Sequence, residues 1–229
     1  MHTFLPKVFV ALFATSLIHS ASADDVPRGT LAVDKDLVLV GSRSQLTWDI
    51  KYPEKVTDII EVKPPYVIKP KKDLTMRVRV LGASFQQDAY TYLPVDVRWS
   101  RNYATWTRIF YGRQDTVNPS TVVLETKVSA NDQLNLAGRG YRNGWLPLYQ
   151  TNSATPNLIM LKDGDKVPQT TPAFQQGKIE TFLKPYLSLD GRTVRIGNRD
   201  LIILVELGQT NPANSGFDLQ DLVLLVTFE

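Results

Sequence analysis

Apolar and polar residues alternate one by one through much of this sequence, and this period of two constrains the fold more than any other feature. Leu46, Trp48 and Ile50 alternate with Thr, Asp and Lys, and the segment 76–81 repeats the pattern. Successive side chains of a strand point to opposite faces, whereas a helix needs apolar residues three or four apart. The alternation therefore predicts half-buried β-strands, and we also assign the apolar stretch Val56–Val62 to a strand.

Turn signals divide these segments into short pieces. Asn-Gly at 143–144 and Asp-Gly at 190–191 favour the tight turns of hairpins. The runs 201–207 and 222–228 consist mainly of Leu, Ile and Val, and each is short enough to be a fully buried central strand. About ten short strands separated by turns are typical of a β-sandwich. We therefore predict a mainly β fold with a single β-sandwich over residues 31–229; a jelly-roll-like fold or a barrel is the alternative.

One segment departs from the strand pattern. Thr171 followed by Pro172 combines a favoured N-cap residue with proline at the first helical position. Phe174, Ile179 and Phe182 follow at spacings that favour one face of a helix. We predict one short amphipathic helix near residues 172–184.

The first 23 residues contain the three parts of a secretion signal in order. Lys7 supplies positive charge, Val8–Ile18 is apolar, and Ala21-Ser22-Ala23 fits a cleavage site. The apolar run is shorter than the roughly 20 residues that a membrane span needs. We predict a cleaved signal at 1–23, a flexible leader at 24–30 and no membrane span afterwards. The mature protein is expected in the periplasm or outside the cell.

The scarcity of histidine and cysteine excludes several kinds of site. The chain has two histidines, His2 and His19, and no cysteine. Both histidines lie in the predicted signal, so the mature chain has no Ser/His/Asp triad, no Cys/His pair and no His-ligated zinc. The net charge of +3 is also far from the concentrated basic charge of a nucleic-acid binder. We predict a non-enzymatic binding or structural protein with no catalytic residues and no nucleic-acid partner.

Two alternative functions remain open. The first is a carboxylate-dependent glycan hydrolase, because paired acids can act without histidine or cysteine. Glu206 is the acid of most interest for that function, since it lies in an apolar run where burial would raise its pKa. The second is a subunit of an envelope or extracellular assembly, which would pair through exposed strand edges and make the protein an oligomer.

An oxygen-rich segment precedes the last apolar run. Residues 209–221 are rich in Asn, Gln, Thr, Ser and Asp, and Asp218 and Asp221 are three residues apart. Ca²⁺ binds about six to eight oxygen ligands, so the two aspartates are candidate calcium ligands. The alternative is that both carboxylates accept hydrogen bonds from turn amides at the entrance to the strand.

The sequence FDLQDLV at 217–223 resembles the end of calcium-associated secreted bacterial β-sandwich modules, which carry D-x-D-[FY]-N-D-[LV]-V. Asp218, Asp221 and the Leu-Val pair at 222–223 match, whereas Gly216 replaces the first Asp. Leu and Gln stand where those modules have the aromatic residue and Asn. Four segments also resemble an uncharacterised family of exported bacterial β-sandwich proteins, which implies a defined domain and no particular activity. They are LTWDIKYP (46–53), MRVRVLGASF (76–85), FLKPYL (182–187) and VELGQTNPANSGFDLQDLVLLVTF (205–228).

Arginines and aromatic residues are interleaved over residues 98–113. Such a surface can stack sugars or bases, although strand alternation can equally place the rings in the core and the arginines in solvent. Tyr103 and Tyr111 are the candidates for exposed rings. Tyr141 and Trp145 flank the Asn-Gly turn and form a second candidate platform. The candidate ligand of these four residues is a glycan or another envelope component.

Overall fold

The computed structural model describes residues 26–33, 46–63, 65–170, 179–214 and 216–229. These residues confirm the predicted mainly β fold and contain two short helices, α1 (Val56–Ile59) and α2 (Ile179–Leu183). The strands are β1 Arg28–Val33, β2 Leu46–Lys51, β3 Ile60–Lys63, β4 Val67–Pro70, β5 Leu74–Gly82, β6 Val95–Arg101, β7 Thr107–Gly112, β8 Val122–Val128, β9 Leu134–Gly140, β10 Tyr149–Gln150, β11 Leu158–Leu161, β12 Asp200–Val205 and β13 Leu222–Phe228.

Two antiparallel sheets form the sandwich. The front sheet has the order β3-β4-β9-β6-β7, with β10 paired to β9. The back sheet has the order β11-β12-β13-β5-β8. Among the residues that the structure describes, β1 and β2 pair with each other alone and form a separate two-stranded ribbon. Most neighbours in both sheets are distant in sequence, so the architecture depends on long-range pairing.

One apolar core lies between the sheets. Ile68, Val97 and Leu136 enter it from the front sheet, and Val78 and Leu224 enter it from the back sheet. All five are 1% exposed or less. Strand alternation explains this arrangement, because every second side chain of each strand points to the other sheet.

A second apolar cluster covers the outer face of the back sheet. Ile202, Leu204 and Val223 on that face pack in one cluster with Leu183 of α2. The central strands β12 and β13 are therefore buried on both faces, which explains why their sequences are continuous apolar runs. This confirms the predicted burial of 201–207 and 222–228.

The ribbon differs from the prediction for residues 46–51. The strand is present, but all six residues of β2 are exposed, with Trp48 at 67%. Leu46, Ile50 and Leu31 of β1 are also about half exposed. The predicted half-burial is wrong here because alternation shows only that one face is apolar, and does not show whether another element covers that face.

The prediction for Val56–Val62 is also only partly right. Its first four residues form α1, and only Ile60–Lys63 is a strand. Asp58 favours the helical turn because its carboxylate accepts a hydrogen bond from the Lys55 amide at 2.8 Å. Val56 and Ile59 are buried, which one turn of helix achieves as well as a strand does.

Several predictions fall partly or wholly outside the described residues. They are the signal at 1–23, residues 24–25 of the leader, and residues 172–178 of the predicted helix, whose following residues Ile179–Leu183 are described as α2. β1 begins at Arg28, within the predicted leader at 24–30. Among the described residues, no helix has the length and apolar character that crossing a membrane requires.

Candidate functional site

Three buried carboxylates meet where β12 ends and β13 begins. Glu206 follows β12 directly, and Asp221 immediately precedes β13. Val205 pairs with Leu222, so Glu206 and Asp221 continue the same antiparallel ladder and face each other. The intervening loop returns Asp218 to the same place. One oxygen from each of the three groups lies within 4.8 Å of the others, and we call this set the acidic cluster.

Backbone amides hold the acidic cluster in place. Glu206 Oε1 accepts hydrogen bonds from Gly208 N at 2.8 Å and Gln209 N at 2.9 Å. Its Oε2 accepts from Asp218 N at 3.0 Å and, more weakly, from Leu219 N at 3.3 Å. A single carboxylate thus organises both ends of the loop, which explains why a glutamate stands at the end of an apolar strand.

The two predicted aspartates are fixed in a similar way. Asp221 Oδ2 accepts hydrogen bonds from Leu207 N at 2.7 Å and Gly208 N at 3.1 Å. Asp218 Oδ2 accepts from the side-chain amide of Gln220 at 3.0 Å. The amide hydrogen bonds of the second sequence-based alternative are therefore present, and the same carboxylates also converge on one point, which leaves calcium binding as a hypothesis.

The acidic cluster is strongly desolvated. Glu206 and Asp218 are each 1% exposed, and Asp221 is 6% exposed. Burial, followed by the charges of Glu206 and Asp218, raises the pKa of the Asp221 carboxyl well above its usual range. Desolvation is the larger physical cause, and the repulsion of buried like charges adds to it. Full ionisation of the cluster is therefore costly unless positive charge offsets it, and the Arg142 side chain that lines the same cavity can supply only one such charge for three carboxylates.

A buried amide oxygen without a partner lies beside the acidic cluster. Gln86 is 4% exposed, and its Oε1 atom has no hydrogen-bond partner among the described residues. Gln86 lines the same cavity of about 110 Å³ as Glu206, Asp218 and Asp221. Gln220 Oε1 is likewise buried and unpartnered. An unsatisfied buried acceptor is costly, so each of these oxygens would be stabilised by a donor or a cation.

The sequence did not reveal the role of Gln86. It lies more than 100 residues from Glu206 along the chain, and only the return of β5 beside β13 brings the two together. Glu206 was noted as an acid in an apolar run, but its position opposite Asp221 depends on strand register. The two aspartates could be found because they are close in sequence.

A second candidate site lies on the outer face of the front sheet. Val95 and Val97 point into the core, so Asp96 between them points outward. Asp96 pairs across the sheet with Arg139 of β9 on one side and Tyr111 of β7 on the other. Direct partners share a face of the sheet, so these three residues form one row.

Three arginines cover Asp96. Its carboxylate accepts hydrogen bonds from the Nε atoms of Arg98 at 2.8 Å, Arg108 at 2.6 Å and Arg139 at 2.9 Å, and its side chain is fully buried. Burial raises the pKa of Asp96, but the hydrogen bonds from the three guanidinium groups outweigh burial and lower it below the usual value. The carboxylate therefore stays ionised and holds the three arginines in fixed positions.

Aromatic rings extend this row. Trp145 makes edge-to-face contacts with Tyr141 at 5.2 Å and with Tyr111 at 6.2 Å between ring centroids. The Arg139 guanidinium lies 4.1 Å from the Trp145 centroid, and that of Arg108 lies 5.0 Å from the Tyr111 centroid. We call the set Arg98, Arg108, Arg139, Tyr111, Tyr141 and Trp145 the arginine–aromatic surface.

Three of the four predicted platform residues thus come together. Tyr111, Tyr141 and Trp145 are 53%, 41% and 42% exposed, so they are not core residues. Tyr103 is apart from them. It follows β6 in the turn before β7 with a positive φ of 60°, at the opposite end of the hairpin from Tyr111, and it is 66% exposed.

Comparisons of the chain with known protein families, with curated proteins and with solved structures find no match. The chemistry of the two candidate sites therefore carries the functional argument. The acidic cluster offers oxygen ligands in a small cavity, and the arginine–aromatic surface offers guanidinium donors and exposed rings.

Proposed function

We propose that this protein is an exported, non-enzymatic binding protein whose C-terminal loop is stabilised by a bound Ca²⁺ ion. The observation that supports the cation is the convergence of three buried carboxylates beside one cavity, which is also lined by Gln86, a residue with an unpartnered side-chain oxygen. Export is supported by the signal-like segment at 1–23 and would be tested by sequencing the N-terminus of the secreted protein.

A bound cation would offset the charge repulsion within the acidic cluster more fully than a single proton would. A proton on Asp221 removes one negative charge from the cluster. A divalent cation in the cavity offsets the repulsion among all three carboxylates and gives Gln86 Oε1 a partner. The cavity of about 110 Å³ has room for an ion and several waters, since one water needs roughly 10–15 Å³.

The ligand chemistry favours Ca²⁺ over other metals. Every candidate ligand is a carboxylate or amide oxygen, whereas zinc and copper sites are usually built with histidine or cysteine. Mg²⁺ requires near-ideal octahedral geometry, while Ca²⁺ accepts six to eight oxygens in irregular arrangements. A loop that contributes carboxylates at irregular spacing suits the larger ion.

Calcium binding is tested by thermal unfolding of the mature protein, first with EDTA and then with excess CaCl₂. We expect Ca²⁺ to raise the Tm, because an ion at 100 times its Kd stabilises the folded state by about 2.7 kcal/mol. Asp221→Asn should raise the Tm in EDTA by removing one repelling charge, and should abolish the calcium-induced shift.

Asp49→Asn is the matched control for this experiment, because Asp49 lies on the exposed ribbon. It should leave the calcium response unchanged. The proposal fails if wild-type protein shows neither a Tm shift nor calorimetric binding with Ca²⁺, or if Asp221→Asn keeps the full response.

The geometry of the acidic cluster favours binding of an ion over hydrolysis. Ligand pockets usually measure about 300–1,000 Å³, so the cavity of about 110 Å³ beside the acidic cluster is small for a sugar. Both Glu206 oxygens also accept two amide hydrogen bonds each, which leaves the carboxylate poorly placed to act as a base. For the same reason Glu206 contributes negative charge to the ion site, and the oxygens of Asp218, Asp221 and Gln86 are the candidate ligands. Hydrolysis of a glycan by wild-type protein that is lost in Glu206→Gln would favour the hydrolase instead.

A second candidate function, a subunit of an envelope or extracellular assembly, is favoured by the ribbon. Leu31, Leu46, Trp48 and Ile50 share one face of it and are about half exposed or more. Exposed apolar sheet faces often mark protein interfaces. Light scattering of the mature protein tests this function: a mass above the monomer that falls in Trp48→Ser supports it, and a monomeric mass at all concentrations opposes it.

A further inference from the structure

We infer that the arginine–aromatic surface binds a carboxylate-bearing glycan, with guanidinium groups contacting the carboxylates and exposed rings contacting the sugar faces. This inference rests on the proposed binding function and names the ligand class for it. The acidic cluster and its cation are a separate site, so the two can be tested apart.

Hydrogen bonds to Asp96 hold the three arginine side chains in position in the protein without a ligand. Each hydrogen bond to Asp96 runs through Nε, so it uses one of the five N–H donors of each guanidinium. Arg108 keeps 45% of its side chain exposed, and Arg98 and Arg139 keep 25% and 22%. A guanidinium held in position loses little conformational entropy when it pairs with a carboxylate.

The charge balance of this row favours an anion. Three guanidinium groups face one carboxylate, so the row carries a surplus of two positive charges. The lowered pKa of Asp96 keeps that carboxylate ionised, so the arginine positions persist at neutral pH. Planar guanidinium groups bind carboxylates with two parallel hydrogen bonds, which is the geometry a uronic acid can use.

The exposed rings favour a sugar over a simple anion. Trp145 contacts both Tyr111 and Tyr141, and the three partly exposed rings form an aromatic patch of the kind that often marks a functional surface. The ring faces that Arg108 and Arg139 leave uncovered can pack against the C–H faces of pyranose rings, while tyrosine hydroxyls can bind sugar hydroxyls. The three rings are 41–53% exposed, so a unit of a chain-like ligand can reach them from solvent.

Single-stranded nucleic acid also combines negative charge with flat rings. The glycan is favoured because nucleic-acid binding needs a long basic track for successive phosphates, whereas this chain has a net charge of only +3 and its surplus arginines form one short row. Binding of nucleic acid is therefore an outcome that would overturn the inference.

The experiment measures binding of the mature protein by calorimetry, in EDTA so that calcium cannot bridge protein and ligand. The probes are an oligogalacturonate, a neutral β-1,4-glucan oligomer of equal length, and poly(dT). We expect binding of the oligogalacturonate alone, weakened by added salt because the partly exposed arginines are screened. Trp145→Ala and Arg108→Gln should each weaken it about tenfold.

Two control variants lie on the same hairpin outside the surface. Tyr103→Ala removes an exposed tyrosine at the other end of β6–β7, and Arg113→Gln removes an exposed arginine paired with Asp115. Both should bind as wild type does. Arg108→Gln leaves Arg98 and Arg139 on Asp96, so it is expected to fold, and circular dichroism and the Tm would verify this.

The inference is overturned if the oligogalacturonate does not bind at millimolar concentration, if the neutral glucan or poly(dT) binds equally well, or if a folded Arg108→Gln binds as wild type does. If the wild-type protein shows the calcium-induced Tm shift but does not bind the oligogalacturonate, only the glycan inference is refuted. If it binds the oligogalacturonate but does not respond to calcium, the proposed calcium site is refuted and the glycan inference stands.

Discussion

A buried aspartate lies at the centre of each candidate site, and the two aspartates differ in the charges around them. Those charges decide whether the desolvation of the carboxylate is offset. Asp96 is fully buried but has three guanidinium partners, so its pKa is lowered. Asp221 is nearly as buried but has two acidic neighbours, so its pKa is raised. The same residue type is thus fixed as an anion in one site and is poised to bind a proton or a cation in the other.

Asp96→Asn should destabilise the protein at neutral pH, because it leaves three clustered guanidinium groups without their shared anion. Breaking a buried ion pair costs about 3–5 kcal/mol, and we expect about 2–3 kcal/mol here since the arginines are partly exposed and screened. Urea unfolding at pH 7 measures the loss. Asp49→Asn, at an exposed position, should change stability little.

The destabilisation by Asp96→Asn should depend on pH. The folded-state pKa of Asp96 lies below the unfolded value of about 3.9, so the stabilisation from its ionised form is fully present above that value. It is lost as the pH falls through the folded-state pKa. The difference between wild type and variant should therefore be constant from pH 7 to 5 and shrink below about pH 4. A constant difference down to pH 2 would contradict this.

At the level of strands, close approach between elements depends on small residues. Gly140 of β9 faces Phe85, and a Cβ atom on Gly140 would lie 2.5 Å from Phe85 Cε1 and 2.6 Å from Cδ1. Phe85 is 1% exposed and also lines the cavity beside the acidic cluster. The glycine therefore lets the ring fill the space between the sheet and the candidate metal site.

Gly140→Ala should destabilise the protein by about 1–3 kcal/mol, because the buried ring has little space to move. Phe85→Leu removes the overlapping ring atoms and carries its own cost. The double variant should then be less destabilised than the sum of the two single variants. Urea unfolding of the wild type, the two single variants and the double variant gives the four free energies of a double-mutant cycle. Strictly additive changes in the free energy of unfolding would show that the ring and the glycine do not interact.

The strands that could be predicted are those whose signals are local. Alternation located β5, and the runs 201–207 and 222–228 located the buried centre of the back sheet. The Asn-Gly signal located the turn that brings Tyr141 beside Trp145, and Asn143 and Gly144 both have positive φ there. Each of these signals acts over fewer than ten residues, so the sequence displays it directly.

Long-range pairing could not be predicted. Arg139 meets Asp96 because β9 pairs with β6, and Gln86 meets the acidic cluster because β5 pairs with β13. A shift of one residue in either register would turn these side chains to the other face. Local periodicity carries no information about register between distant strands. The sequence could therefore identify Asp218 and Asp221 as candidate ligands but could not place Glu206 and Gln86 beside them.

At the level of the whole molecule, the chain must obtain its stability without disulfides, because it has no cysteine. Both sheets contribute to one core, and the second cluster shares β12 and β13 with it. The acidic cluster lies at the junction of these two strands, where a bound cation would join the ends of both. Neither sheet has an independent core in the described residues.

The sandwich should therefore unfold as one cooperative unit. Trp99 packs against the shared core, Trp106 immediately precedes β7, and Trp145 lies on the outer face of the front sheet. Fluorescence of these three tryptophans therefore reports on the front sheet. Far-UV circular dichroism reports on all strands. In a Trp48→Phe background, which removes the signal of the exposed ribbon, the two urea transitions should coincide.

Calcium should move both transitions together, since stabilising the β12–β13 junction stabilises the single core. Separate midpoints, or a calcium shift seen by circular dichroism but not by fluorescence, would show that the two sheets unfold as separate units. The cation would then stabilise the back sheet alone, and ion binding at the C-terminal loop would be energetically uncoupled from the arginine–aromatic surface on the front sheet.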